Sequence, residues 1–313
     1  MSVSHDLETF WREPSSASAL AEWIAAGLAE DRAREDSATA ALFPAGTDGE
    51  RTARATVTAV AEGVVCGGPA VLAAISQLDP DAREVRRLAE GTRVTPGAEI
   101  LVVDGAVAAV LAGERTALNV LGHLSGIATM AAEWAALVPD VQVLDTRKTT
   151  PGLRSFQKFA TRCGGAHNHR MDLADMPMVK ENHRDLFRRL HGLTDPQQEI
   201  ELIVERVRGH APGEPVEIEV EDLPSFLACV AAKVEWILID NQEPATIRQW
   251  LDAAQAQFGA ELSSGFEASG GLRRERLQEY ATSGVQRLSV GALTHSVTAL
   301  DVSLHVEWAP EAN

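Results

Sequence analysis

Six short apolar runs separated by helical segments most strongly constrain the fold of this chain. The runs are Val141–Asp145, Met176–Lys180, Val216–Glu221, Trp236–Asp240, Phe266–Ser269 and Arg287–Val290. Amphipathic helices are predicted in four of the gaps, over Gln197–Arg208, Leu223–Ala232, Pro244–Phe258 and Arg273–Thr282. Strands that alternate with helices predict a parallel sheet, because parallel neighbours need a long crossover connection.

Most of these runs end in a polar or glycine-containing group. The groups are Asp145 to Lys148, Lys180 to Asn182, Glu219 to Glu221, Asp240-Asn241, Ser269 to Gly271 and Gly291-Ala292. Chemistry in an α/β barrel lies at the C-terminal ends of the strands. The pattern therefore favours a barrel over an open doubly wound sheet, whose Gly-x-Gly-x-x-Gly fingerprint does not follow the first strand.

The part of the chain before residue 114 predicts a small unit rich in strands. Its expected elements are a helix over Ser15–Asp36, a strand over Thr52–Val60, a short strand at Val64–Cys66, and a hairpin of Ile100–Val103 with Ala106–Val110. The dipeptide Asp104-Gly105 is a strong turn signal and is expected to join the hairpin. A long helix is predicted next, from Arg115 to Val138.

Composition excludes several classes of protein. The net charge of −17 argues against a nucleic-acid partner. The longest apolar runs are shorter than the ~18 residues of a membrane span, and the N-terminus lacks a signal pattern, so no membrane partner is expected. Three widely separated cysteines without a Cys-x-x-Cys pair argue against a disulfide framework or a zinc site, and favour a cytoplasmic protein.

The charge is unevenly distributed. Residues 147–184 contain eight Lys and Arg against three acids, a net charge of +5 on a chain that is otherwise −22. Such a basic segment indicates a pocket for a small ligand with several negative charges, although a solvated basic face would give the same pattern.

Two motifs in this segment suit an anion. Arg147 and Lys148 follow a predicted strand and precede hydroxyl side chains and a Pro-Gly pair that opens a helix; such a turn offers both charge and backbone donors. His167 and His169 follow two glycines and could form a metal pair. No third soft ligand is evident nearby and Arg170 would repel a cation, so hydrogen bonding to an anion is favoured.

Carboxylates and glycines complete the predicted site. Glu217, Glu219 and Glu221 alternate with aliphatic residues, so they share one face of a strand. That face is expected to look into the barrel with Lys148 and Lys180 as partners, although a solvent-facing antiparallel strand would alternate equally. Together with Asp240, these oxygens suit a Mg²⁺ ion shared with a pyrophosphate. The glycine-containing groups after the last two strands predict a phosphate cradle, with an ordinary turn as the alternative.

The chain resembles the quinolinate phosphoribosyltransferases, which are type II phosphoribosyltransferases, from about Glu62 to its C-terminus. The similarity is densest in Glu114 to Asn119, Ser125 to Thr129, Asp145 to Arg154, Cys163 to Arg170, Lys180 to His183, Glu217 to Glu221, Glu267 to Gly271 and Ser289 to Ser296. The acidic-pair and glycine-loop signature of type I enzymes is absent.

This resemblance implies a two-domain homodimer. It implies an open-faced α/β sandwich over residues 1–119, joined by the C-terminal segment 294–313, and an incomplete α/β barrel over residues 120–293. It also implies transfer of phosphoribose from phosphoribosyl pyrophosphate (PRPP) to quinolinate, with loss of pyrophosphate and CO₂, as a step of NAD biosynthesis. Mg²⁺ is the implied cofactor.

The resemblance further assigns roles to individual residues. The quinolinate carboxylates are expected to be held by Arg147, His169, Arg170 and Lys180, and by Arg115 reaching in from the second subunit. Lys148, Glu219 and Asp240 are the expected catalytic residues around PRPP, and Glu219 and Asp240 are the expected metal ligands. The 5′-phosphate is expected to bind at Ser269, Gly270, Gly291 and Ala292.

Two departures from the family pattern leave alternatives open. Glu35 to Ala38 replace a usual Gly-Asp-x-Thr, and Asp172 stands where a glycine is usual. Asp172 could reshape the site for a different aromatic acid, which would make the chain a related PRPP-dependent transferase. A non-catalytic binding protein is the other alternative, although every matched charged residue is present.

Overall fold

The computed structural model describes residues 3–259 and 262–310, which form two compact units. One unit contains the described residues of 1–133, 150–165 and 293–313, and the other contains those of 134–149 and 166–292. The helices are α1 (Val3–Phe10), α2 (Pro14–Glu30), α3 (Ser37–Leu42), α4 (Gly68–Ser76), α5 (Val107–Leu137), α6 (Arg154–Cys163), α7 (Glu181–His191), α8 (Pro196–His210), α9 (Leu223–Ala231), α10 (Pro244–Phe258), α11 (Leu277–Ala281) and α12 (Ala292–His295). The strands are β1 (Thr52–Ala59), β2 (Gly63–Val64), β3 (Arg83–Arg87), β4 (Arg93–Val94), β5 (Glu99–Ala106), β6 (Gln142–Leu144), β7 (Met178–Val179), β8 (Glu217–Val220), β9 (Trp236–Asp240), β10 (Gly265–Ser269), β11 (Arg287–Ser289) and β12 (Val302–Trp308).

The first unit is built on an antiparallel sheet with the strand order β12-β1-β5-β3. Strand β1 lies in the middle, where Ala55 pairs with Val103 of β5 and Val306 of β12. Its small apolar side chains alternate strictly, and all four from Ala53 to Ala59 are buried against the helices. The predicted strand over Thr52–Val60 is therefore confirmed. The fold class, with a sheet domain and a parallel α/β domain, is also confirmed.

The predicted hairpin at Asp104-Gly105 is wrong. Both residues lie inside β5, and α5 begins at Val107, eight residues before the predicted start of the long helix. The Asp104 carboxylate accepts hydrogen bonds from Arg54 (2.8 Å) and Arg83 (2.9 Å) on the two neighbouring strands and is almost fully buried. Cross-strand pairing therefore satisfies the polar side chain that would otherwise favour a turn.

The first predicted helix is also shorter than expected. Helix α2 ends at Glu30, and Arg32 adopts a left-handed conformation with φ +52°. A short 3₁₀ turn and α3 follow, and the Asp36 side chain accepts hydrogen bonds from the first backbone amides of α3. The helix is therefore interrupted before the segment that departs from the family motif, and α3 begins within that segment.

The second unit is a parallel sheet with the strand order β6-β11-β10-β9-β8-β7. A single parallel bridge from Leu144 to His167 extends it beyond β6. Within residues 3–259 and 262–310 no ladder joins His167 to β7, so the curled sheet is an incomplete barrel, as the resemblance implied.

An aromatic ring, that of the half-buried Trp236, lies at the amino end of β9. The Arg287 guanidinium lies 3.2 Å from the centre of the Trp236 ring. Gly265 makes room for that ring, since a Cβ at this position would lie 2.4 Å from it. The opposite, carboxyl ends of the strands remain open to a pocket.

Two further expectations concern membrane-spanning helices and the state of the cysteines. The helices of the described part of the chain include none with the length and apolarity needed to span a bilayer. All three cysteines are free and buried.

Candidate active site

A pocket of about 510 Å³ lies at the carboxyl ends of the barrel strands. It is lined by Thr146, Arg147, Lys148, His169, Arg170, Met178, Lys180, Glu219, Leu238, Asp240, Asn241, Ser269, Gly270, Gly271 and Ser289. These residues come from the ends of six neighbouring strands or from the loops that follow them. Side chains far apart in sequence meet here because parallel strands present their carboxyl ends at one edge.

Most of the predicted site residues line this pocket. They are Arg147, Lys148, His169, Arg170, Lys180, Glu219, Asp240, Ser269 and Gly270. Gly291 and Ala292 follow β11 but do not line the pocket, to which β11 contributes Ser289 instead. Arg115 belongs to the other unit, on α5, with its side chain 63% exposed. The roles assigned to all of these residues stay predictions.

The two pocket arginines repel each other. Arg170 is buried, and its pKa is lowered by burial and then by the charge of Arg147. Its guanidinium donates a hydrogen bond to the Met176 carbonyl at 3.3 Å, and this contact fixes the group without neutralising it. The charges of nearby carboxylates raise the pKa of Arg170 but do not outweigh burial and Arg147. Two close cations of this kind favour the binding of an anion between them.

Two carboxylates, those of Glu219 and Asp240, also line the pocket. Glu219 forms an ion pair with Lys180, and its other oxygen accepts a hydrogen bond from the Glu181 amide at 3.3 Å. The pKa of Asp240 is raised by burial and then by the nearby Glu219 charge. A divalent cation would relieve this repulsion, and hard carboxylate oxygens are the donors that Mg²⁺ prefers. The donor set therefore fits the implied metal ion.

The glycine loop after β10 depends on a close approach of two backbones. Gly270 has φ +96°, and a Cβ there would lie 2.3 Å from Asn241 Oδ1. Asn241 itself has φ +54° and donates hydrogen bonds from its backbone to the Ser269 carbonyl (3.0 Å) and from its side chain to Asp240 (2.6 Å). Asn241 is thus a pocket residue that the sequence interpretation placed at a strand end without assigning it a role. Its signal was the position directly after Asp240 at a strand end.

A buried cluster of three titratable side chains lies beneath the pocket. His169 Nε2 is 3.2 Å from a carboxylate oxygen of Glu217 and 3.3 Å from one of Glu267. Both glutamate side chains are fully buried, and Ser289 donates a hydrogen bond to Glu267. The predicted inward face of the Glu217–Glu221 strand is therefore observed at Glu217. Its partner is a histidine and not a lysine, whereas Glu219 does pair with Lys180.

Burial and charge shift the pKa values of His169 and Glu217 in this cluster. Burial alone would lower the pKa of His169, but the two carboxylates outweigh burial and raise it to about 9. The pKa of Glu217 is also raised, by burial and then by the charge of Glu267. Because these groups interact closely, the two shifts belong to the cluster as a whole.

Sequence reasoning missed Glu267 as a site residue. The signal was available, because Gly265, Glu267 and Ser269 alternate on β10 and Ser269 was already placed at the site. The structure brings two hard carboxylates to His169. His169 Nε2 lies within ion-pair distance of both carboxylates but forms a regular hydrogen bond with neither.

Asp172 does not reach the pocket. Its carboxylate accepts hydrogen bonds from the backbone amides of Ala174 (2.8 Å) and Asp175 (3.1 Å) and thereby closes a local turn. This departure from the family pattern is therefore explained by loop structure.

Two family models together match most of the chain. The model described as quinolinate phosphoribosyl transferase, N-terminal domain, matches residues 36–125, and the corresponding C-terminal domain matches residues 127–305. The boundary between the two matches lies within α5.

Named relatives and solved structures agree with these matches. The chain is 34% identical over 280 residues to a probable nicotinate-nucleotide pyrophosphorylase [carboxylating] of Bacillus subtilis, covering 89% of this chain and 92% of that protein. It is 36% identical over 273 residues to the nicotinate-nucleotide pyrophosphorylase [carboxylating] of Mycobacterium leprae, covering 86% and 90%. The structure of the nicotinate-nucleotide pyrophosphorylase from Francisella tularensis superimposes with a TM-score of 0.79 at 30% identity, covering 93% of this chain and 96% of that chain.

Proposed function

The chain belongs to the quinolinate phosphoribosyltransferase family, and we propose that it transfers phosphoribose from PRPP to quinolinate in NAD biosynthesis. The products are nicotinate mononucleotide, pyrophosphate and CO₂. One observation carries the proposal: a single pocket holds a pair of mutually repelling arginines together with two carboxylates and a glycine loop. Such a pocket suits a dianionic acceptor beside a phosphorylated sugar.

Quinolinate would bind at the basic side. Its two carboxylates suit Arg147, Arg170 and Lys180, because guanidinium groups bind carboxylates through paired hydrogen bonds and thereby fix the plane of the ring. We further propose that a second copy of the chain supplies Arg115 in a homodimer. Fixed orientation of the ring would bring its nitrogen toward C1′ of the ribose.

PRPP would bind at the glycine and carboxylate side. Ser269 and Gly270 would hold the 5′-phosphate, and Lys148 would meet the charge that develops on the leaving pyrophosphate. Glu219 and Asp240 would hold Mg²⁺, which supplies positive charge to the pyrophosphate when bound. The same carboxylates would stabilise positive charge that develops at C1′.

The reaction needs no covalent intermediate with the enzyme. The pyridine nitrogen lone pair forms the bond to C1′ as the bond from C1′ to pyrophosphate breaks. The alkylated ring then carries a positive charge, so it accepts the electron pair left at C2 when CO₂ departs. A proton from solvent or from a pocket acid completes the product. The role of the chain is to hold both substrates in line and to exclude other orientations.

The alternative, in which the acceptor is a different aromatic acid, has lost its main support. A different aromatic acid was suggested by Asp172, whose carboxylate closes a turn outside the pocket. The free cysteines support a cytoplasmic location, which we also propose.

A single assay tests the proposed reaction. Purified protein is incubated with PRPP, Mg²⁺ and either quinolinate or nicotinate, and nicotinate mononucleotide is followed by chromatography. We expect product from quinolinate alone, and loss of that product when the metal ion is chelated. Product from nicotinate, or equal activity with and without Mg²⁺, would refute the corresponding part of the proposal. A Lys148→Ala variant is the matched control for contaminating activity.

A further inference from the structure

We propose that Glu217 and Glu267 are positioning residues, which act through His169 to fix Arg170 for the acceptor acid. The inference rests on the proposed function for the identity of that acid. Neither glutamate lines the pocket, so any effect on the substrate must pass through another residue.

The two glutamates contact one imidazole from two strands of the barrel. Glu217 lies on β8 and Glu267 on β10, and β9 separates these strands. In register with β9, Glu217 pairs with Trp236 and Glu267 pairs with Leu238. His169 Nε2 is 3.2 Å from the first carboxylate and 3.3 Å from the second. The ring therefore contacts two strands outside its own loop.

The other ring nitrogen transmits this position to Arg170. His169 Nδ1 accepts a hydrogen bond from the Arg170 backbone amide at 2.7 Å. Asp145 holds the same segment from the other side, since its carboxylate accepts hydrogen bonds from the His169 amide (2.9 Å) and from the Asn168 side chain (2.6 Å). The main chain at residues 168–170 is thus fixed by hydrogen bonds on both sides. Both ring nitrogens of His169 serve this framework.

The energetics favour a positioning role over a stabilising one. Two carboxylates that lose water on burial are stabilising only when their partners compensate fully, and apolar residues of the same size usually give a more stable core. Here the compensation is partial. Ser289 donates a hydrogen bond to Glu267, and the Arg287 guanidinium, which lies over Trp236, interacts with both carboxylates. A barrel needs no such cluster to fold, whereas a rigid dianion site needs a fixed guanidinium.

The test compares two substitutions at one position. Glu267→Ala removes the contact with the imidazole, whereas Glu267→Gln keeps an oxygen for His169 or Ser289 and offers an amide to Glu217. We expect Glu267→Ala to raise KM for quinolinate roughly tenfold or more while KM for PRPP stays close to that of the wild type. We expect Glu267→Gln to recover most of that loss. Glu201→Ala, an exposed glutamate on α8, is the control.

The outcomes separate this inference from a purely structural effect. Equal rises in both KM values, or equal losses in the Ala and Gln variants, would overturn the positioning role. Thermal melts monitor folding, and Ser289→Ala provides a milder variant, in which a smaller rise of the quinolinate KM is expected. If that KM does not change in Ser289→Ala or in Glu267→Ala, the inference is wrong.

A readout without substrate separates failure of the inference from failure of the proposed function. The Nε2 proton of His169, held between two carboxylates, should give a strongly downfield NMR signal in the wild-type protein. That signal should vanish in Glu267→Ala and persist in Glu201→Ala. Its absence from the wild-type protein would overturn the cluster geometry, even if quinolinate proves to be the substrate. If the wild-type protein shows this signal but is inactive on quinolinate, only the proposed reaction is refuted.

Discussion

Replacing Gly270 with alanine should disable the PRPP side of the pocket. A Cβ at this position would lie 2.3 Å from Asn241 Oδ1 and 2.6 Å from the Asn241 backbone nitrogen. Carbon normally approaches such atoms to about 3.5 Å, so the two backbones must separate by about 1 Å. Rotation of the Asn241 side chain cannot relieve the contact with the backbone nitrogen. A displacement of that size in an active site lowers kcat/KM by about 100-fold, and we expect this loss when PRPP is the varied substrate.

Gly271 provides the matched control for this change. It has φ +58°, and a Cβ at this position would have no heavy atom within 4 Å beyond its chain neighbours. Alanine at this position should therefore add only the strain of a left-handed residue, about 1–2 kcal/mol of stability, which Gly270→Ala shares. Steady-state kinetics with each substrate varied, together with thermal melts, measure both effects. If the two variants have the same kcat/KM for PRPP, the close approach of Gly270 to Asn241 is not what shapes the site.

Three further predictions concern the anion site, the subunit interface and a buried acid. Arg147→Ala should raise KM for quinolinate about 100-fold or more while calorimetry still detects PRPP binding; unchanged quinolinate affinity would remove Arg147 from the site. Mixing Arg115→Ala subunits with Lys180→Ala subunits should restore about a quarter of the wild-type activity, because half of the dimers are mixed and each has one intact site. No recovery in confirmed mixed dimers would exclude the cross-subunit role of Arg115. Burial raises the pKa of Glu90 from its ordinary value of 4.5 to about 7, so the folded state binds this proton more tightly than the unfolded state does. The resulting stability, up to about 3 kcal/mol, is present below pH 4.5 and is lost as the pH rises to 7. Urea titrations should show this loss in the wild-type protein but not in Glu90→Gln, and parallel pH profiles would contradict it.

The regular part of the barrel follows directly from the sequence. Strand β9 and helix α10 have the bounds that were predicted for them, Trp236–Asp240 and Pro244–Phe258. Four apolar residues mark the strand, and a proline marks the first turn of the helix, where its missing amide proton costs nothing. Local signals and tertiary packing agree here, so pattern alone is sufficient.

Elements that depend on distant partners are not predictable in this way. Helix α7 (Glu181–His191) is highly charged, and its Leu186 and Leu190 remain exposed, so it has no continuous apolar stripe to recognise. Strand β12 is an edge strand whose side chains are mostly exposed or half-buried, and it is defined by pairing with β1. The Asp104-Gly105 turn signal fails for the same reason, since Arg54 and Arg83 reach Asp104 from other strands.

The candidate site shows the same division between local and distant information. Residues at strand ends, such as Lys148 and Asp240, are recognisable because the position itself indicates function in a parallel barrel. Glu267 is not, because its significance comes from His169 and Glu217, which lie 98 and 50 residues away in the chain. The role of a buried acid can be inferred only when the strands that surround it are known.

The two-residue repeat of the strands links the buried cluster to the pocket. One face of β8, β9 and β10 carries Glu217 and Glu219, Leu238 and Asp240, and Glu267 and Ser269. Glu219, Leu238, Asp240 and Ser269 line the pocket, whereas Glu217 and Glu267 are buried beneath it. Apolar side chains at these two buried positions would pack with less loss of solvation energy. Because the two carboxylates contact the histidine that precedes Arg170, that loss is coupled to the geometry of the anion site. A barrel of this kind therefore gives up some stability in its interior to hold the pocket cations in place.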